Sequence, residues 1–415
     1  MKVVIKLLLT LLFAGSMSVL SAQEKQESFN ADSLYAKARD YQKGENGVLM
    51  DKEKARELKI LLADHGDVRA QTDLAEDERI PADKRLKWLR NAAEKRFLPA
   101  TMWMAECYLQ GYLGLSVDKE QSHYWGRLSA ETGDATAIFC YACDFLDGTG
   151  TPKNVEEGLK WLNASADKGY IPAVKMLAGM YKTGQDVYKN YDKYFTYMKR
   201  GAELGDAACQ FELGSEMFHS EGGEKYEDPG QALEWFKKAA AQKCCPAYYY
   251  MGLYYEKSDG FLGIEEDPKT ALDWYRKGAE HQHAGCYFRI YEITKEHGDL
   301  PVSRDEMMEA ITKAADLGLK DAQAELAFLK YIGMRPENEK GEGIRTILAL
   351  ADEGVLRAKA ILGSMYYSGM GCKRDKKRGE QLLLEAAYKG DETGLRLAKA
   401  YKLIKNSKNF KHKIL

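Results

Sequence analysis

Between Ala358 and Gly390 the chain reads AKAILGSMYYSGMGCKRDKKRGEQLLLEAAYKG, and its apolar and small positions fall into two helical stripes. Ala358, Leu362, Gly363 and Tyr366 stand at i, i+4, i+5 and i+8, along one side of a helix. Gly369 and Gly371 then end that helix, and Asp375 is placed to cap a second one. Leu382, Leu383, Ala386 and Ala387 form the second stripe before Gly390 stops it. The element is a helical hairpin. One hairpin cannot bury both of its apolar faces, so it must stack on others like it.

The same pattern recurs through the chain. Trp88, Trp125, Trp161, Tyr197, Trp235 and Trp274 mark successive second helices at spacings of 37, 36, 36, 38 and 39 residues. Small pairs follow them at a fixed offset, among them Ser129/Ala130, Ser165/Ala166, Ala239/Ala240 and Ala314/Ala315. The longer spacings come from insertions at HSEGGEKYEDPG and KSDGFLGIEEDP, which a stack of hairpins carries in its loops at little cost. First helices repeat as Ala100/Met104/Ala105/Tyr108/Gly111, Ala137/Tyr141/Ala142/Phe145/Gly148 and Ala173/Leu177/Ala178/Tyr181/Gly184. Small residues at the first and sixth positions allow two helix backbones to approach, and the ring at the ninth fills the space beyond. Asn154 with Glu157, Ser303 with Glu306, Asp228-Pro229 and Asp267-Pro268 read as second-helix starts. The first helix is doubtful between residues 67 and 98, and each hairpin between 284 and 354 is degenerate in one helix. Residues 393–404 read as a lone closing helix.

The pattern A-x3-L-G-x2-Y-x2-G-x-G, then Asp, then A-x2-W-x3-A-A-x2-G, resembles the Sel1-like repeats, relatives of the tetratricopeptide repeats. It covers residues 31–404, most specifically at 100–205 and 358–390. The resemblance implies an all-α, right-handed α/α superhelical solenoid of about ten hairpins. It also implies an adaptor that holds a protein or peptide on its inner face.

The ends of the chain add a location. Residues 1–22, MKVVIKLLLTLLFAGSMSVLSA, place Lys2 and Lys6 before a short apolar run that closes on small residues, the layout of a secretory signal peptide. The run from Leu7 to Leu20 is broken by Gly15 and Ser16 and is short for a membrane span, so no stable membrane insertion is expected after cleavage. Residues 23–30 read as a linker and 405–415, KNSKNFKHKIL, as a basic tail. The mature protein is therefore expected to be exported, periplasmic or extracellular. A net charge of −2 gives no long-range pull toward nucleic acid. Eight cysteines at irregular spacing permit disulfides in such a compartment, although several fall inside the helical pattern, where cysteine is a common small core residue.

No motif in the chain demands catalysis, a cofactor or a metal. Cys140-x-x-Cys143 falls in the middle of a first helix, not at its start, where redox cysteines gain their low pKa. His281-x-His283 has no further ligands at a usual spacing. A surface feature is more informative. At 100° per residue the core positions of a first helix cluster within about 140°, whereas the third position points away. That position is Met102, Phe139, Lys175, Phe211 and Tyr249 in five successive hairpins. Met102, Phe139, Phe211 and Tyr249 therefore form either a ladder that grips a partner or a row that packs on the next hairpin. The functions that remain are a binding scaffold, a cell-envelope hydrolase with residues grafted on the solenoid, and a purely structural envelope component.

Overall fold

A computed structural model describes residues 30–219, 226–256, 266–333 and 340–404. Residues 1–22, most of 23–30 and 405–415, where the leader, linker and basic tail are expected, lie outside them. Among the described residues the chain is helical, with no strand. Ten hairpins follow one another: α1 (Ala31–Lys43) and α2 (Lys52–Asp64), α3 (Val68–Asp73) and α4 (Ala82–Glu94), α5 (Leu98–Gln110) and α6 (Lys119–Ala130), α7 (Ala135–Asp147) and α8 (Val155–Asp167), α9 (Ile171–Thr183) and α10 (Tyr191–Glu203). The series continues with α11 (Ala207–His219) and α12 (Pro229–Ala241), α13 (Cys245–Glu256) and α14 (Pro268–Glu280), α15 (Ala284–Glu296) and α16 (Arg304–Asp316), α17 (Lys320–Tyr331) and α18 (Lys340–Asp352), α19 (Leu356–Ser368) and α20 (Lys376–Tyr388), and ends on α21 (Glu392–Ala400). The degenerate stretch from 284 to 354 is thus made of ordinary hairpins. The doubtful first helix near residue 70 is real but short, six residues of α-helix run on by a 3₁₀ turn at Leu74–Glu76. The chain packs as two compact units. One runs to Met180 and includes Gly184–Tyr188; the other takes Tyr181–Thr183 and everything from Lys189 onward.

Seven of the hairpins are closed by the same pair of bonds. The residue that caps the second helix donates its backbone N–H to the carbonyl of the ninth-position residue of the first helix. The contacts are Asp51 to Tyr41 at 2.8 Å, Asp118 to Tyr108 at 2.8 Å, Asn154 to Phe145 at 2.8 Å, Asn190 to Tyr181 at 2.9 Å and Asp375 to Tyr366 at 3.0 Å. Its side chain meanwhile accepts from the N–H three residues on, as Asp375 does from Arg378 and Asn154 from Glu157. The hairpins with inserted loops keep the latch, Asp228 to Met217 at 3.1 Å and Asp267 to Tyr255 at 2.9 Å. Loop length is therefore free because the loop's two ends are fixed.

Packing explains the small residues. A Cβ on Gly363 would meet the carbonyl oxygen of Gly379 at 3.0 Å, and one on Gly379 would meet the amide of Tyr367 at 2.7 Å, so α19 and α20 touch backbone to backbone. In α13 the sixth position must be glycine for another reason: its Cβ would stand 2.2 Å from the Tyr275 ring. Large side chains then fill what remains. Phe236 and Tyr275 are wholly buried. Their predecessors Trp235 and Trp274 are half-buried under Lys238 and Lys277, each ammonium 4.1 Å from the ring centre. The tryptophan spacing therefore marks the repeat, while the neighbouring ring carries the burial. The hydrophobic clusters pass from hairpin to hairpin, as where Ala324, Ile347, Ala358 and Leu362 pack together. At the C-terminal end Ala398 is buried, and Tyr401 stacks on Tyr367 at 4.3 Å and hydrogen-bonds Ser364 at 3.0 Å, so α21 covers the last hairpin.

Two outcomes follow from this geometry. Ala142 is fully buried and its carbonyl lies 3.3 Å from where a Cβ on Gly158 would sit, so Ala142→Leu overpacks the α7–α8 contact. It should cost about 1 to 3 kcal/mol in urea unfolding. Between hairpins the chain turns through a left-handed residue, glycine at most turns but Gln282 (φ 58°) between α14 and α15. Gln282→Gly should raise stability by about 1 kcal/mol by removing the Cβ clash, and a drop would contradict the turn geometry.

Candidate functional site

The third-position row is half-buried throughout, Lys175 being the exposed exception. In the N-terminal unit the Phe139 ring lies 5.4 Å from Tyr170, the residue that leads into the next hairpin. In the C-terminal unit Phe211 meets Tyr250 edge-on at 5.4 Å, and Tyr249 approaches His283 at 5.7 Å and Tyr275 at 6.2 Å. Three of the four thus lean on the following hairpin while keeping part of their surface open. Met102 is half-buried on α5.

The pattern analysis missed a second feature of the first helices, a chain of buried charges in the C-terminal unit. Arg357, at the start of α19, sets one guanidinium nitrogen 2.9 Å from Glu325 on α17 and 3.3 Å from Glu292 on α15, and another 3.0 Å from Asp391 before α21. All four side chains are nearly inaccessible to water. Tyr291 donates to Glu325 at 3.2 Å, and Lys295 reaches Glu292 at 3.3 Å and Glu325 at 3.6 Å. One hairpin earlier Arg289 pairs with Glu256, which also accepts from the Tyr275 hydroxyl, and approaches Glu392 at 3.5 Å. Glu216 on α11 is a further such centre, with Lys182 Nζ and the Tyr194 hydroxyl each at 2.7 Å and the Tyr191 hydroxyl in contact.

Burial alone would neutralise these groups. It opposes the charge on Arg289 and Arg357, yet the surrounding carboxylates win and hold both guanidinium pKa values above the usual value. Burial likewise pushes Glu325 up, but Lys295 and Arg357 pull it below the ordinary carboxylate range. Asp321 and Glu296, where burial prevails, lie above that range.

Of these side chains Glu256, Arg289, Glu292, Glu296 and Glu392 line a cavity of about 440 Å³, together with Glu266, His297, Thr393 and Arg396. Five carboxylates face two guanidinium groups. The stretch that departs from the repeat pattern, residues 284–354, carries Arg289, Glu292 and Glu325 on first helices. Glu212 and Glu106 stand at the equivalent positions of other first helices, so charge at those positions does not by itself mark the network.

The Sel1 repeat model matches residues 98–134, 141–170, 172–206, 207–244, 245–283 and 356–391, together just over half of the chain. The chain belongs to the Sel1 repeat family. Among solved structures it is similar to c5321, described as a protective antigen present in uropathogenic Escherichia coli strains and displaying an SLR fold. That match has 25% identity and a TM-score of 0.64 over 92% of this chain and 82% of that one. A Sel1 repeat protein from Oxalobacter formigenes shares the fold at 23% identity and a TM-score of 0.52, over 83% of this chain and 89% of its own. The hairpins α15–α18 lie between matched Sel1 repeats, so Arg289, Glu292 and Glu325 stand in an unmatched stretch while their partners Glu256, Arg357 and Asp391 lie in matched repeats.

The other sequence motifs serve the Sel1 fold. Cys140 is exposed and Cys143 half-buried on α7, and burial raises both thiols, Cys143 to about 12, the opposite of an activated redox pair. All eight cysteines are thiols. His283 caps α15, its Nδ1 accepting from the Cys286 amide at 3.2 Å, and His281 stacks on Tyr248 at 5.6 Å. Among the described residues no group of three or more His, Cys, Asp or Glu could hold a metal.

The charge network makes a pH-dependent prediction. Arg357→Met leaves Glu292, Glu325 and Asp391 buried without their common partner, which should cost about 3 to 5 kcal/mol at pH 7. Glu325 has a lowered folded pKa, so its stabilisation is present above its unfolded value near 4.5 and is lost as pH falls through the folded value. The penalty of Arg357→Met should therefore shrink between pH 7 and pH 3.5 in denaturant titrations; an equal penalty at both would contradict it.

Proposed function

We propose that this Sel1 repeat protein is an exported scaffold that holds a protein or peptide partner on the face formed by its first helices. The carrying observation is the third-position row. Met102 and Phe139 in the N-terminal unit, and Phe211 and Tyr249 in the C-terminal one, keep part of a large apolar side chain at the surface where solvent would favour charge. Rings that are half-packed and half-open are rigid anchors, since ordering them on binding costs little side-chain entropy. Export rests on the leader at residues 1–22, and no described helix is long and apolar enough to cross a membrane. The likeness to a protein described as a protective antigen accords with export.

The test compares the wild-type chain with Phe139→Ala/Phe211→Ala. Crosslinking and affinity capture from the native envelope fraction should weaken by about 2 kcal/mol or more per anchor, while unfolding stability stays within about 1 kcal/mol. A loss of about 3 to 5 kcal/mol of stability per ring would make the row core instead and remove the anchors. N-terminal sequencing of the exported protein should begin at Gln23; an intact Met1 would contradict export.

A further inference from the structure

We infer that Cys140 and Cys143 on α7, with the thioethers of Met102 on α5 and Met176 on α9, form a site for one soft, thiophilic metal ion of the Cu(I) class. The inference goes beyond the scaffold reading and does not depend on it. All four residues lie in the N-terminal unit.

Two observations carry it. The first is the spacing of the thiols, which is wrong for a disulfide and right for a metal. Residues three apart on a helix set their Cβ atoms about 5 to 6 Å from each other, whereas a disulfide needs about 3.5 to 4.5 Å. An ion with bonds of about 2.3 Å to each sulfur spans the wider gap. Both cysteines stand well inside α7, where the helix holds that spacing. Cys140 is exposed and Cys143 half-buried, so an ion reaches both from the surface. Burial, and then the neighbouring Cys140, push the Cys143 thiol up to about 12, and burial raises Cys140 as well. Both sulfurs therefore stay protonated at neutral pH until a metal displaces the protons.

The second observation is where the thioethers stand. Successive first helices share one register. Tyr250, fourth on α13, meets Phe211 and Phe218, third and tenth on α11, at 5.4 and 6.1 Å. The same register sets Cys140, fourth on α7, beside Met102, third on α5, and sets Met176, fourth on α9, beside Phe139 and Cys143. Glu106, which follows Met102 by one turn, adds to the effect of burial on the Cys140 thiol, as that register requires. Met102 and Met176 are both half-buried and keep part of their surface open. The donors then select the ion. Zinc and harder ions take three or more nitrogen, thiolate or carboxylate ligands, and no such group of His, Cys, Asp or Glu exists among the described residues. Two thiolates satisfy a soft ion, and thioether sulfur is a ligand that such ions favour. On binding, two S–H bonds break and two metal–sulfur bonds form, both protons pass to solvent, and copper stays Cu(I).

The test uses the full chain after the leader, under nitrogen, with Cu(I) supplied as its coloured bicinchoninate complex. One equivalent should pass to the protein. Cys140→Ala/Cys143→Ala should lower the affinity at least a hundredfold with unchanged circular dichroism, while Cys244→Ala/Cys245→Ala keeps it. Met102→Leu/Met176→Leu should weaken binding at least fivefold, and no change would remove the thioethers from the site. Because two protons leave per ion, the affinity should rise about a hundredfold per pH unit near neutrality; a rise of about tenfold would mean one thiolate and overturn the pair. The wild-type chain gives a readout that needs no variant. Cu(I) should protect Cys140 and Cys143 from iodoacetamide, read by peptide mass, and leave Cys244, Cys245 and Cys372 as reactive as before. Protection only at those other cysteines, undiminished binding by the Cys140/Cys143 variant, or Zn(II) bound as tightly as Cu(I) would overturn the assignment.

Discussion

No hairpin of this chain can bury both of its apolar faces, so each depends on its neighbours, and the contact between consecutive hairpins is the interaction on which the structure rests. Inside a hairpin the constraint is closeness. Gly363 and Gly379 let two backbones touch, and a ring such as Tyr275 occupies the space opposite Gly252. The latch from the cap amide to the ninth-position carbonyl fixes the exit from the first helix, so the loop beyond it can lengthen without moving either helix. Those three devices explain why a sequence that varies so much between repeats still gives hairpins of nearly constant size.

Between hairpins the chain uses two chemistries. Around Ala324, Ile347, Ala358 and Leu362 the contact is apolar and close-packed. Along the first helices from α13 to α21 the contact is ionic, with Arg289 and Arg357 each shared among carboxylates of different hairpins. Buried ion pairs are a weak source of net stability, because desolvation offsets much of the attraction. Their value here is placement. A guanidinium with fixed partners in three hairpins permits far fewer sliding arrangements than an apolar surface does.

The fold was legible because its determinants are local and periodic. Ala358, Leu362 and Gly363 fall on one helical stripe, Asp375 caps, Gly369 ends a helix at φ 80°, and each can be read without knowing what packs against it. The degenerate stretch shows the limit of such reading. Residues 284–354 form regular hairpins because Ser303, His283 and the turn at Gly318 still supply caps and reversals, whereas the apolar template was the only thing that had changed. The ion network was not legible, since Glu292, Glu325, Arg357 and Asp391 are 32 to 34 residues apart in successive hairpins, and nothing along the chain says which charges face inward. The third-position row lies between the two cases. Its direction followed from helix arithmetic, while the ring contacts of Phe139, Phe211 and Tyr249 depend on where the next hairpin sits.

The claim that charges join the first helices of the last hairpins is tested most directly by a double-mutant cycle on Arg357→Met and Glu325→Gln, with stability read by denaturant unfolding at pH 7. The account predicts that the double mutant is less destabilised than the two single mutants summed, by about 1 to 3 kcal/mol, because each single change leaves the other group buried without its partner. Additive effects would show that the two side chains are neighbours without being coupled, and would contradict the account.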